Sequence, residues 1–287
     1  MEALRATYGS DSDDAASAPS ISSRGGANGD SRQDRSNRQQ LEPLPPPPLD
    51  LVQTPNYVDL SATAQGDRIR SFPHTEGNYA LHVYIPVIIP TPIRSQLALF
   101  VKRISSVVPG LYAVDVDYPI AELCMDDMVL EQVLLGREFH ISLGRTVPIQ
   151  VHQIDSIVAM LRQKFINQRG YTIDFNKWDV FVNDEKTRSF LSLEVIGGGL
   201  SEITKQIRIV DVTYRLHGLP EFYKNPRPHI SLLWALGDTS YSLKQAVDID
   251  RSYKKATPSS GHIFTSKISS IECKIGKKTY SIWKFPE

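Results

Sequence analysis

"GREFHISLGRT" occupies residues 136–146 and "NPRPHISLLWALG" residues 225–237, so the tetrad HISL is written twice in one chain. A histidine followed two places on by a hydroxyl residue is a loose pattern, which a chain with seven histidines matches about once by chance. The recurrence is more specific than that, because the whole tetrad returns and each copy sits in a stretch where apolar and polar residues alternate as in a strand. Side chains of a strand point alternately to its two faces. His140 and Ser142 therefore emerge on one face, with Ile141 and Leu143 on the other, and the second copy sorts His229 and Ser231 from Ile230 in the same way. The remaining histidines, His74, His82, His152, His217 and His262, fall outside the pattern.

Working outward from the tetrads, the order of elements also recurs. "NYALHVYIPV" predicts a strand, with Leu81, Val83 and Ile85 alternating with His82 and Tyr84 and Pro86 ending it. "TPIRSQLALFVKRISSVVPG" predicts a helix capped by Thr91 with Pro92 at the first helical position, carrying Leu97, Phe100, Val101, Ile104 and Val108 on one stripe. "GLYAVDVDYP" predicts a strand, followed by the first HISL strand. The second half begins with the helical stripe Ile154, Ile157, Val158, Leu161 and Phe165, closed by Gly170. A hairpin follows, "WDVFVN" and "TRSFLSLEVIG", turning at Asn183-Asp184-Glu185-Lys186 without a glycine. A third helix with Ile203, Ile207, Val210 and Tyr214 on one face ends at His217-Gly218 and leads to the second HISL strand; a last hairpin turns at Gly276. The expected fold class is α+β, two pseudo-symmetric lobes of antiparallel sheet with outer helices around a central cleft.

Composition bounds the alternatives. Residues 1–68 are rich in Ser, Gly, Asp, Arg and Pro, including the run LPPPPLD at 44–50, and are expected to form a disordered tail with a polyproline spacer, leaving a folded domain over 69–287. Its lobes are expected to interlock, one over about 75–145 plus the C-terminal strands, the other over about 150–245. Lys plus Arg balance Asp plus Glu at 32 each, which excludes an overall basic field for duplex binding. Two cysteines, Cys124 and Cys273, are too few for a disulfide framework and read as packing residues of a reducing compartment. No secretory leader or 18-residue apolar stretch is found, so neither secretion nor membrane spanning is expected.

If the two lobes meet along the HISL strands, two imidazoles and two hydroxyls converge on one cleft. That set suits phosphodiester transfer to a neighbouring hydroxyl: one histidine takes the proton of a ribose 2′-OH, the other gives a proton to the departing 5′-oxygen, and the serines donate to the non-bridging oxygens. An imidazole with an unperturbed pKa of about 6.5 serves either role near neutrality. No metal or other cofactor is expected, since neither tetrad has a carboxylate or third histidine at ligand spacing.

The paired H-x-S tetrads resemble the 2H phosphoesterase superfamily, named for its two H-x-[ST] motifs. Within it, "GNYALHVYIPV" (77–87), "NDEKTRSFLSLEV" (183–195), "EFYKNPRPHISLLWALGD" (221–238) and "CKIGKKTYSI" (273–282) look like the U6 snRNA phosphodiesterases, a similarity running from about residue 70 to the end. The resemblance implies a nuclear 3′-to-5′ exoribonuclease that trims the uridine- or adenosine-rich 3′ end of U6 snRNA and leaves a 2′,3′-cyclic phosphate or a 3′-phosphate; a monomer is expected, although the sequence does not fix the oligomeric state. It implies His140 and His229 as catalytic residues and Ser142 and Ser231 as phosphate ligands, with Tyr223, Asp184, Pro228 and Ile230 on the substrate side. Tyr223 also makes sense as a stacking platform for a base. Where the family segment reads Asn-Gln-Glu-Lys-Thr-Arg, this chain has Asp184, which when ionised only accepts hydrogen bonds. Lys186, Arg188, Arg227, Lys274, Lys277 and Lys278 are candidate contacts to an RNA backbone. Two other functions share these features: a cyclic-nucleotide or 2′,5′-oligoadenylate phosphodiesterase of the same superfamily, and a noncatalytic RNA-binding spliceosomal adaptor.

Overall fold

Leu81, Val83, Ile85 and Val87 lie at most 1% exposed on one face of a strand that runs from Asn78 to Ile88, β1, in the computed structural model, which describes residues 75–254 and 262–285. The expected tail over 1–68 lies outside the described residues. β1 is the spine of a five-stranded antiparallel sheet: β3 (Glu138–Ser142) on one side, β10 (Ser270–Ile275) and then β11 (Lys278–Lys284) on the other, with β4 (Val147–Gln150) also paired to β1. β1 does not stop at Pro86, as the sequence suggests, and the hydrogen-bond pattern explains why. Leu143 N–H donates to the Val83 carbonyl, and bonded pairs fall on alternate residues, so Pro86, opposite His140, sits where a backbone N–H would point away from β3. On that other side β10 pairs only as far as Tyr84, so the missing donor breaks no ladder bond.

The second sheet has the order β2-β8-β7-β6, formed by Tyr112–Ala113, His229–Leu236, Arg188–Glu194 and Lys177–Val182. β6 and β7 form the expected hairpin. Its turn needs no glycine because Lys186 itself adopts a left-handed conformation (φ 55°), while Asn183 Oδ1 accepts from Arg188 N–H and Asn183 Nδ2 donates to Thr187 Oγ1. The strand expected over "GLYAVDVDYP" is confined to Tyr112–Ala113, since Asp115 (φ 67°) and Asp117 (φ 53°) are left-handed and turn the chain, the Asp117 carboxylate accepting from Trp234 Nε1–H at 3.0 Å. β5 (Tyr171–Phe175) and β9 (Phe264–Ile268) make a separate two-stranded ribbon.

Four long helices cover the outer faces: α1 (Thr91–Val107), α2 (Ile154–Phe165), α3 (Leu200–Leu216) and α4 (Ser240–Lys254). α1 starts one residue earlier than expected, with Pro90 as its cap and Thr91 already helical, and its stripe Leu97, Phe100, Val101 and Ile104 is buried. α2 ends at Phe165, well before Gly170.

Two of the helices, α1 and α3, are exchanged between the sheets. α1, which follows β1, packs with α4 over the second sheet, Phe100 stacking on Trp178 of β6 at 4.1 Å between ring centres and Arg103 donating to Asp250. α2 and α3 pack together on the first sheet, α2 against β11. Tyr214 of α3, fully buried, reaches the turn after β3, where it donates to the Arg145 carbonyl at 3.2 Å.

Candidate active site

The faces of the two sheets turned away from the helices carry the polar residues. β3 and β8 lie against one another across them, which brings the two HISL tetrads together. On the first sheet the site face holds His140 and Ser142 of β3, His82 and Tyr84 of β1, and Lys274 and Glu272 of β10, the last two directly opposite His82 and Tyr84. The second sheet contributes His229 and Ser231 of β8, Ser192 and Glu194 of β7, and Asp179 and Phe181 of β6.

His229 is held by two contacts. Its Nδ1–H donates to the Arg227 carbonyl at 2.7 Å, and because a carbonyl only accepts, the neutral ring carries its lone pair on Nε2. The ring stacks on Phe181 (3.8 Å, 17°), and Arg227 lies over the same phenyl ring at 4.4 Å. Arg227 is not a free contact for an RNA backbone: its guanidinium is bidentate on Glu194 (2.6 and 2.7 Å) and reaches Asp179 at 2.6 Å. Burial alone would raise the Asp179 carboxyl, but hydrogen bonds from Lys177, the Val180 backbone and Arg227 pull it down to about 2.

His140 sits edge-on to His82 (5.0 Å) and Tyr84 (5.8 Å), with Nδ1 3.8 Å from the Asp115 carboxylate. Asp115 is positioned by its left-handed backbone and by Arg137, which donates to it at 3.2 Å. Burial lowers the pKa of both motif imidazoles. Asp115 opposes this for His140 while Arg137 and Lys274 reinforce it; for His229 the Arg227 carbonyl and Glu194 oppose it, and the charges of Arg227 and His140 reinforce it. The contact of β3 with β8 brings the two rings to the same cleft, where the charge of His140 acts on His229.

Each motif serine is bonded to the neighbouring strand. Ser142 Oγ is 2.9 Å from His82 Nε2, and Ser231 Oγ is 2.9 Å from Ser192 Oγ. Tyr223 stands 45% exposed on the loop before β8, its hydroxyl donating to Asp184 at 3.3 Å and one ring face covered by the Arg145 guanidinium at 4.0 Å, which also approaches Asp184 at 3.8 Å. That loop is fastened to α3 by Asp211, which accepts from Phe222 N–H at 2.7 Å, and by the Arg215–Glu221 pair.

Two further expected contacts are placed differently. Pro228 is buried with its carbonyl accepting from Val195 N–H, and Ile230 is fully buried on the face opposite His229, so both hold the strand rather than face the cleft. Arg188 lies over Trp234 and Lys278 over Tyr280, while Lys274 is beside His82. Among the described residues no group of three or more His, Cys, Asp and Glu is arranged to hold a metal ion.

The family described as "HVSL: Uncharacterised conserved protein" matches residues 42–283. A curated relative from Xenopus laevis named U6 snRNA phosphodiesterase 1 is 30% identical over 251 residues, 85% of this chain and 90% of its own. The chain belongs to this HVSL, U6 snRNA phosphodiesterase family. A relative of the same name from Mus musculus is 29% identical over 218 residues, 76% of this chain and 73% of its own. A solved structure, Kluyveromyces marxianus Usb1 with uridine monophosphate, aligns with a TM-score of 0.49 at 13% identity over 71% of this chain and 98% of that one.

Within this HVSL chain, several residues at the cleft escape a reading of the sequence: His82, Ser192, Glu194, Phe181 and Asp115. The alternation of "ALHVYIP" does put His82 and Tyr84 on the polar face of their strand, and that is the signal that could have found His82. Nothing local marks Ser192 or Asp115, which reach the site through strand pairing and a left-handed turn.

Proposed function

We propose that this chain is a 3′-to-5′ exoribonuclease that trims the 3′ oligouridine or oligoadenosine end of U6 snRNA. The observation that carries the reading is the meeting of two H-x-S strands from separate sheets in one cleft, in a family whose curated relatives are named U6 snRNA phosphodiesterase 1. One of His140 and His229, neutral, removes the proton of the 2′-hydroxyl as its oxygen attacks the adjacent phosphorus. The other, protonated, donates to the 5′-oxygen as that P–O bond breaks, so the step yields a 2′,3′-cyclic phosphate and a free 5′-hydroxyl. Water attacking the cyclic ester with the two roles reversed gives a 3′-phosphate. Ser142 and Ser231 donate to the non-bridging oxygens, and Tyr223 stacks the terminal base on the ring face away from Arg145. Asp184, already accepting from the Tyr223 hydroxyl, is beside that base.

In this reading residues 69–287 are the catalytic domain of a nuclear monomer that needs no metal, acting on a single-stranded 3′ end. No helix among the described residues is long and apolar enough to cross a membrane. The test is trimming of an RNA with an oligouridine 3′ end by purified protein in excess EDTA, with mass spectrometry of the terminus. His140→Ala and His229→Ala are each expected to lower kcat by at least about 100-fold, the usual worth of one positioned proton transfer, while RNA binding persists. Full activity in either variant, or loss of wild-type turnover in EDTA, would overturn the reading.

A further inference from the structure

We propose that His82 is a positioning residue that fixes the direction of the Ser142 hydroxyl, so that the serine presents its hydrogen to the cleft; the inference rests on the phosphodiesterase reading above.

The 2.9 Å contact between His82 Nε2 and Ser142 Oγ can be made in two ways. If Nε2 is bare, Ser142 gives its only hydrogen to the ring and turns oxygen lone pairs toward the cleft, which repel a phosphate oxygen. If Nε2 carries the hydrogen, it donates to Ser142 Oγ, and the serine hydrogen is left for the substrate. Only the second arrangement makes Ser142 a donor to an anion.

The surroundings of His82 suit a fixed, uncharged donor. It comes from the central strand β1, with Lys274 directly opposite on β10, Tyr84 stacked on it at 5.1 Å and His140 edge-on at 5.0 Å. Tyr84 is itself tied to Glu272 by a 2.9 Å bond. Burial, then His140, then Lys274 push the His82 imidazole down to about 3. It therefore stays neutral near neutral pH, and adds no competing proton to the cleft there. The other half of the site differs: Ser231 is paired with Ser192, a hydroxyl that can donate or accept, so this contact leaves its direction open to a ligand. One serine is a donor before substrate binds, and the other adapts.

Two measurements on the full chain test this. Proton–nitrogen correlation spectra of the His82 ring near neutral pH need no turnover: Nε2–H is expected, and a bare Nε2 would overturn the proposal. In trimming of an oligouridine RNA, His82→Leu is expected to lower kcat about 10- to 100-fold, as expected for losing a hydrogen bond to a charged group, with a smaller effect on KM. His82→Gln, whose amide N–H lies near the position of Nε2, recovers most of that loss. His82→Leu costs little more once Ser142→Ala is present, because both remove the same donor. Wild-type activity in His82→Leu, or a full additional loss in the double variant, would sink the inference. A wild-type chain that leaves the RNA uncut would refute the exonuclease reading instead, and the spectra would still decide which way the serine points.

Discussion

Burial moves both motif imidazoles in one direction, toward the neutral form, and this fixes how the site responds to pH before any substrate binds. An acid–base pair works when one ring is protonated and the other is not, and with both pKa values below the ordinary value of about 6.5 that singly protonated form is most populated on the acidic side of it. The profile of kcat/KM, which reports the free enzyme, is expected to peak below pH 6.5, and that of kcat to lie higher, because a bound phosphate diester stabilises both imidazolium forms. Pre-steady-state and steady-state rates across pH check this; coincident profiles would contradict it. At this scale the sequence was informative where chemistry repeats and mute where it does not. His140, Ser142, His229 and Ser231 announce themselves by recurring, whereas Ser192 and Glu194 look like any polar positions of a hairpin strand until β7 is paired with β8.

Gly144 shows how an element boundary holds the chemistry in place. A Cβ there would lie 2.8 Å from the Tyr214 hydroxyl and 3.0 Å from Val210, and Tyr214 is fully buried and has nowhere to go. Gly144→Ala is expected to destabilise the fold by about 1–3 kcal/mol, the usual range for overpacking a core, and to reduce turnover by displacing Ser142 and Arg145; a thermal melt unchanged from wild type would contradict this. Three of the four long helices were legible, because an apolar stripe such as Leu97, Phe100, Val101 and Ile104 is a local property of the chain. The errors fell where the outcome depends on a distant partner. Pro86 continues a strand because β10 ends short of it, and the apolar alternation of "AVDVD" is overridden by two left-handed aspartates, one of them bonded to Trp234. The segments that became α4 and β9 gave no expectation at all, β9 pairing with β5 across a large gap in sequence.

For the molecule as a whole, three half-buried imidazoles at one cleft link stability to pH. The unfolded chain takes up protons on His82, His140 and His229 below about 6.5, while in the folded chain all three are lowered, His82 to about 3. The unfolded state therefore binds more protons over that window, and stability should fall as pH drops from about 6.5 toward about 3. Urea midpoints measured down this range check it, and His82→Gln should flatten the slope; a wild-type midpoint that stays level would contradict it. The exchange of helices carries a different consequence. The part of the described chain up to Arg145 supplies β1 and β3 to the first sheet and β2 and the roof, α1, to the second, and the later part supplies the remaining strands of both sheets with α2, α3 and α4. Neither half owns a complete hydrophobic interior, so a single peptide-bond cut in the turn after Arg145 would yield two fragments that stay clasped as one particle, and neither fragment made alone would have a fold to adopt.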